Sequence, residues 1–161
     1  MSSQTNISKI MKYSTEVIIE RPLNEVIEKM DNADNMKHWQ RGLVAAEHIS
    51  GTPGSVGAKM KLNYEMGKRK MELIETVTEN SFPDAFHATY DTKGMHNIQQ
   101  NYFEELPNGH TKWTSKSEFQ ASSFMLKAMM FLMPGAFKKQ SLQYMNDFKN
   151  FAETGASVAK K

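Results

Sequence analysis

The sequence predicts an α+β fold: a curved antiparallel β-sheet of six to seven strands wrapped around one long C-terminal helix, with two short helices after the first strand. Three observations carry this. Segments of alternating apolar and polar residues fill most of the chain before Ser122. Turn dipeptides separate them at hairpin spacing. After Ser123 the apolar repeat changes to three and four residues, the period of a helix.

Lys12 to Glu20, "KYSTEVIIE", alternates and is rich in β-branched residues, so it is the first strand. "RPLNEVIEKMDN" follows, with Pro22 suited to a first helical turn and Val26, Ile27 and Met30 spaced for one face. A second short helix is expected over Ala33 to Trp39. The glycines of "GTPGSVG" mark a flexible connection between strands near Leu43–Ser50 and Ala58–Met66.

Turns then fix how the strands pair. Gly67-Lys68 as a two-residue turn sets Met66 opposite Arg69, Tyr64 opposite Met71, Leu62 opposite Leu73 and Met60 opposite Glu75. Lys93-Gly94 sets Tyr90 opposite Asn97, Ala88 opposite Gln99 and Phe86 opposite Asn101. The three-residue loop in "LPNGH" sets Phe103 opposite Trp113 and Asn101 opposite Ser115, with Glu104 and Lys112 paired on the other side. One face of the sheet therefore carries Tyr13, Val17, Ile19, Val77 and Phe119 with those apolar residues. Among them stand Glu75, Asn97, Gln99, Asn101, Ser115 and Ser117. An unpaired polar group in a solid core costs about 1–3 kcal/mol, so this face reads as the wall of a partly wet, partly apolar cavity. The alternative is that these groups end strands or pair with one another.

In the C-terminal part, Ser122 or Ser123 caps a helix and Pro134 kinks or breaks it. Beyond Pro134, Phe137, Ser141, Tyr144, Met145, Phe148 and Phe151 or Ala152 form a stripe able to close over the sheet. Phe124 to Met133 is apolar nearly all round and rich in adaptable methionine. It is a core helix, a gate over a ligand, or a contact surface for a partner.

Bulk properties exclude several function classes. The chain has 161 residues, net charge +2 and no cysteine, so thiolate metal sites, disulfides and a cysteine nucleophile are ruled out. No basic run suggests nucleic acid. Phe124 to Met133 is about half the length of a membrane span, which leaves contact with a membrane surface open. The opening "MSSQTNISKIMKYS" has no apolar signal core, giving a cytoplasmic expectation. The five histidines, His38, His48, His87, His96 and His110, have no metal-ligand spacing, and on this register His87, His96 and His110 share no common face with a carboxylate partner; His38 is expected to close a short helix against the sheet. "GTPGSVGAK" lacks the ending of a phosphate loop and precedes a strand. No metal and no cofactor are expected. Glu75 alone has surroundings that would raise a carboxyl pKa, making it the one candidate acid or base; otherwise it bonds a tyrosine hydroxyl or ends a strand in water.

The pieces "IERPLNEVIEKMDNADNMKHW", "GSVGAKMKL", "VTENSFPDAFHATYDTKG", "NGHTKWTSKSEF" and "PGAFKKQSLQYMNDFKNFAE" stand in an order that resembles the START-like (SRPBCC) superfamily from about Tyr13 to Glu153. The resemblance implies the helix-grip fold and a cavity between sheet and long helix; it transfers no catalytic residue. The expected organisation is a single ligand-binding domain over 1–153 and a disordered tail over 154–161. The expected function is binding or transport of a hydrophobic or amphipathic molecule such as a lipid, quinone or polyketide-like compound. Its apolar contacts would come from Met60, Leu62, Tyr64, Met71, Leu73, Phe86, Ala88, Tyr90, Phe103, Trp113 and Phe119, with Phe124, Met129, Met133 and Phe137 from the helices. Glu75, Asn97, Gln99, Asn101 and Ser115 would orient a polar end. The alternatives are a cyclase or dehydratase using Glu75, or a protein-binding module presenting Phe124–Met133. A monomer or weak homodimer is expected.

Overall fold

The computed structural model describes residues 9–160. The stretch before Lys9, part of the opening read above as lacking a signal core, and Lys161 lie outside the described residues. Strand β1 (Lys9–Ile19) leads into α1 (Leu23–Met30), a 3-10 turn at Ala33–Asn35 and α2 (Met36–Trp39). Six strands follow as a meander: β2 (Leu43–Ser50), β3 (Lys59–Met66), β4 (Arg69–Ser81), β5 (Ala85–Thr92), β6 (Met95–Glu105) and β7 (Thr111–Ala121). Helices α3 (Phe124–Leu132) and α4 (Pro134–Thr154) end the chain's regular structure. The sheet order is β1-β7-β6-β5-β4-β3-β2, all neighbours antiparallel.

All three hairpin registers agree with the turn chemistry, including Met60 opposite Glu75, Tyr90 opposite Asn97 and Phe103 opposite Trp113. Gly94 shows why its turn needs glycine. Its φ is +79°, and a Cβ there would sit 2.7 Å from the Ser123 Cβ. The Gly94 carbonyl accepts the Ser122 N–H at 2.9 Å, which ties the β5–β6 turn to the start of α3.

Pro134 breaks the helix as expected. Met133, at φ −133° and ψ 62°, separates α3 from α4, and Pro134 opens α4 where its missing N–H costs nothing. Ser123 caps α3 by accepting the Leu126 N–H at 3.3 Å.

The apolar residues between sheet and helices form three separate clusters. Val17, Ile19, Val26, Phe103, Trp113, Met145, Phe148 and Ala152 make one end solid. Trp113 stacks on Phe103 at 5.9 Å and meets Phe148 edge-on at 5.5 Å; Trp39 closes the group. Fully burying a ring such as Phe148 contributes about 1.5–3 kcal/mol. A second cluster gathers Met36, Leu62 and Tyr64 under β3 and β4. The third holds Ala121, Met130 and Phe137 beside Phe119 and Tyr13.

Two local expectations are corrected. The His38 ring stacks on Phe151 of α4 at 5.2 Å, away from the sheet, because α2 packs against α4. The segment after α4, read as a disordered tail, turns at Gly155 and lies along α2: Val158 N–H donates to the His38 carbonyl at 3.0 Å, and Ser157 Oγ is 2.8 Å from His38 Nδ1.

Candidate ligand site between sheet and helix

Across the middle of the sheet, side chains on the face toward α4 fall into transverse rows. One row runs Met60, Glu75, Tyr90, Asn97, Phe119 and Met11. The next runs Ala58, Val77, Ala88, Gln99, Ser117 and Tyr13. The second row sets the small Ala58, Ala88 and Ser117 beside Val77, Gln99 and Tyr13. The backbone of α4 runs close to β1 and makes no comparable approach to β3, β4, β5 or β6. Met60, Met71, Leu73 and Tyr90 at the edge of the second cluster, and Glu75 and Gln99 between it and the third, are only half-buried.

The chemical centre of this space is Glu75. It stands directly opposite Tyr90, whose phenol lies toward its carboxyl. Burial raises the carboxyl above its ordinary range, and the Tyr90 hydroxyl pulls it partly back. Burial pushes the Tyr90 phenol up too, helped by the carboxylate charge. Tyr64, raised in the same way, donates to the Gln40 Oε1. Tyr144, from α4, donates to the Arg41 carbonyl at 3.4 Å. On the β1 side, Tyr13 bonds Ser141 Oγ at 2.7 Å and donates to the Phe137 carbonyl at 3.1 Å. Ser117 Oγ is buried without a well-formed hydrogen bond, although it feels the Tyr13 hydroxyl opposite.

The predicted site residues divide into three groups. Met60, Leu62, Tyr64, Met71, Leu73 and Tyr90 gather in the second apolar cluster, with Glu75 opposite Tyr90; Phe119, Met129 and Phe137 stand in the third, and Ala88 and Gln99 pair with each other on the strands between. Asn97, Asn101, Phe103, Trp113, Ser115 and Phe86 lie on the same face but are engaged in structure. Asn101 Oδ1 accepts the Trp113 indole N–H at 3.0 Å, and Asn97 donates to the Glu118 carbonyl at 3.1 Å while accepting from Gln99 at 2.9 Å. Phe86 stacks on Phe82 and Ser115 is buried opposite Asn101. The amides thus pair within the protein, the alternative left open above. Phe124 and Met133 are outside altogether, 88% and 53% exposed. A helix that is apolar all round can bury only one side, and α3 buries the side carrying Met130.

Arg41 was not foreseen. It lies in a loop without periodicity, yet grips Asp147 of α4 through two bonds of 2.6 and 3.0 Å. The histidines are corrected as well. His87 meets Glu79 at 3.0 Å because a register shift after Val77 brings Glu79 opposite it, and His96 meets Asp91. These are pairs; among the described residues no three ligating groups gather that could hold a metal ion. Two clefts of about 340 and 290 Å³ open at the surface. The first is lined by Val44, Asn63, Tyr64, Glu65, Lys70, Met71 and Glu72, at the β3–β4 edge, and the second by Glu25, Glu28, Lys29, Asn32 and Asn35. Among the described residues no helix is long and apolar enough to cross a membrane.

Solved structures superpose over nearly the whole chain. The Zhui aromatase/cyclase from Streptomyces sp. R1128 matches at TM-score 0.73 and 9% identity, covering 89% of this chain and 94% of its own. Norcoclaurine synthase from Thalictrum flavum, in complex with dopamine and hydroxybenzaldehyde, matches at 0.68 and 10%, covering 94% and 91%. Ara h 8.0201 matches at 0.68 and 9%, covering 89% and 98%. The chain shares the helix-grip fold of these structures. No protein-family model matches the sequence, and no curated protein matches it. At such low identities the likeness shows the fold alone and leaves the chemistry to this chain's own residues.

Proposed function

We propose that this protein binds a hydrophobic or amphipathic small molecule between the middle of the sheet and α4. The observation that carries the reading is the Glu75–Tyr90 pair, desolvated yet half-open, beside a row that holds the small Ala58, Ala88 and Ser117, between two separate apolar clusters. A few polar groups in a mostly apolar recess are the usual makings of a ligand site. A carboxyl whose burial favours its neutral form disfavours a second carboxylate or a phosphate beside it. The polar end that suits Glu75 and Tyr90 is therefore a carbonyl or hydroxyl, as in a quinone or polyketide-like ring, and a fatty-acid head suits it poorly.

Native mass spectrometry of the protein purified from its own host tests this, together with thermal shift against quinones, cyclic ketones and fatty acids. A ligand at about a hundredfold its Kd adds about 2.7 kcal/mol of stability. Stabilisation by neutral ring compounds, weaker with fatty acids, is expected. No co-purified molecule and no shift across a broad apolar set would remove the reading.

One observation favours a second reading, an enzyme of cyclase or dehydratase type. Glu75 in its neutral form has a proton to give, and Tyr90 is placed to keep the carboxyl oriented. The fold likeness to an aromatase/cyclase and to norcoclaurine synthase is compatible with it. Turnover of a bound cyclic ketone that survives Glu75→Gln would exclude Glu75 as its acid.

A further inference from the structure

We propose that α3 is a docking helix for an anionic lipid surface, a role that does not depend on the ligand reading. Ser123 caps one end of this nine-residue rod and the break at Met133 frees the other. Only Met130 is fully buried, with Leu126 and Met129 half-buried beside it. On the opposite side Phe124 is 88% exposed, Met125 74%, Phe131 73% and Leu132 74%. From Phe124 to Met133 the single polar side chain is Lys127.

Charge decides which partner fits. Between Phe119 and Asn146 the chain has Lys127, Lys138 and Lys139 and no aspartate or glutamate. Lys138 and Lys139 are exposed beside the ridge, and the Lys9 ammonium lies 5.0 Å from the centre of the Phe131 ring. The flanking acids are already engaged, Glu118 with Lys12 at 3.2 Å and Asp147 with Arg41. An apolar ridge edged by lysines matches the boundary between acyl chains and anionic headgroups. The charge at this edge between Phe119 and Asn146 is cationic alone, which an anionic lipid surface complements throughout and a protein partner would have to match with an acidic rim of its own. At about 1.5 Å per residue the helix is far too short to span a bilayer, so it lies in the plane of the surface.

Flotation of the full chain with phosphatidylcholine vesicles, with and without about 30% phosphatidylserine, tests the proposal. Binding is expected on the anionic vesicles, weak on the neutral ones, and lost in about 0.5 M salt. Phe131→Ser with Leu132→Ser should lower binding about tenfold or more. Lys138→Glu with Lys139→Glu should lower it by about fivefold or more for each lysine. These side chains face solvent, so circular dichroism and Tm should stay at wild-type values. Failure of the wild type to float with anionic vesicles overturns the proposal, as does equal flotation of the Phe131/Leu132 variant. So does a dimer, seen by light scattering and abolished by that variant, with no lipid binding: the ridge would then belong to a second copy of the chain.

Discussion

Glu75 and Tyr90 face each other directly across β4 and β5, carboxyl to phenol, on the side of the sheet that α4 covers. Because burial raises the folded-state pKa above the ordinary 4.5, the folded chain holds this proton to higher pH than the unfolded chain does. The stabilising contribution is complete below the unfolded value and is lost as pH rises through the folded one. Glu75→Gln removes that loss. Its Tm should exceed the wild type's at about pH 8, with the difference shrinking toward about pH 4. A constant difference across this range would show that the carboxyl is not desolvated.

Arg41 clamps Asp147 with two bonds, and the Asp147 side chain is only 7% exposed while Arg41 is half in solvent. Arg41→Ala leaves a buried carboxylate without its partner and should cost about 1–3 kcal/mol. At roughly 2–4 °C per kcal/mol this is a clear drop in Tm. Adding Asp147→Asn removes the orphaned charge and should recover part of the loss. Additive losses in the double variant would mean the clamp carries no coupling energy.

The indole N–H of Trp113 has its partner in Asn101, deep in the solid end of the interior. Asn101→Ala should cost about 1–3 kcal/mol by stranding that donor. In a Trp113→Phe background the same change should cost much less, because no donor remains to strand. Equal costs in both backgrounds, read from urea unfolding, would show that Asn101 acts only through packing.

Most of the architecture was legible because hairpin turns and period-two strands are local signals. Gly67-Lys68 and Lys93-Gly94 were enough to place Glu75 beside Met60 and Tyr90 beside Asn97. The facing of α3 was not legible: with apolar residues all round, nothing in the sequence distinguished Met130 from Phe131. Phe103 opposite Trp113 was legible from the turn, but not that Asn101 would accept the indole N–H or that this group would close one end. That depends on where α1, α2 and α4 converge. Arg41 and Gln40 sit in a short irregular loop, so their reach to Asp147 and Tyr64 had no sequence pattern to announce it.

Ser117 offers a direct test of the space itself. It is buried, its Oγ lacks a well-formed hydrogen bond, and it stands in one row with Ala88 and Gln99. Ser117→Leu puts added methylene groups where the hollow is inferred and removes a poorly satisfied hydroxyl. If the space is unfilled, each buried methylene adds about 0.8 kcal/mol and the variant is at least as stable as the wild type. The same leucine then occupies the ligand's place, so the thermal shift with neutral ring compounds should fall at least about tenfold in apparent affinity. A tightly packed interior answers differently: overpacking forces strained rotamers and costs about 1–3 kcal/mol. A large fall in Tm for Ser117→Leu would therefore argue that sheet and helix enclose no room for a guest.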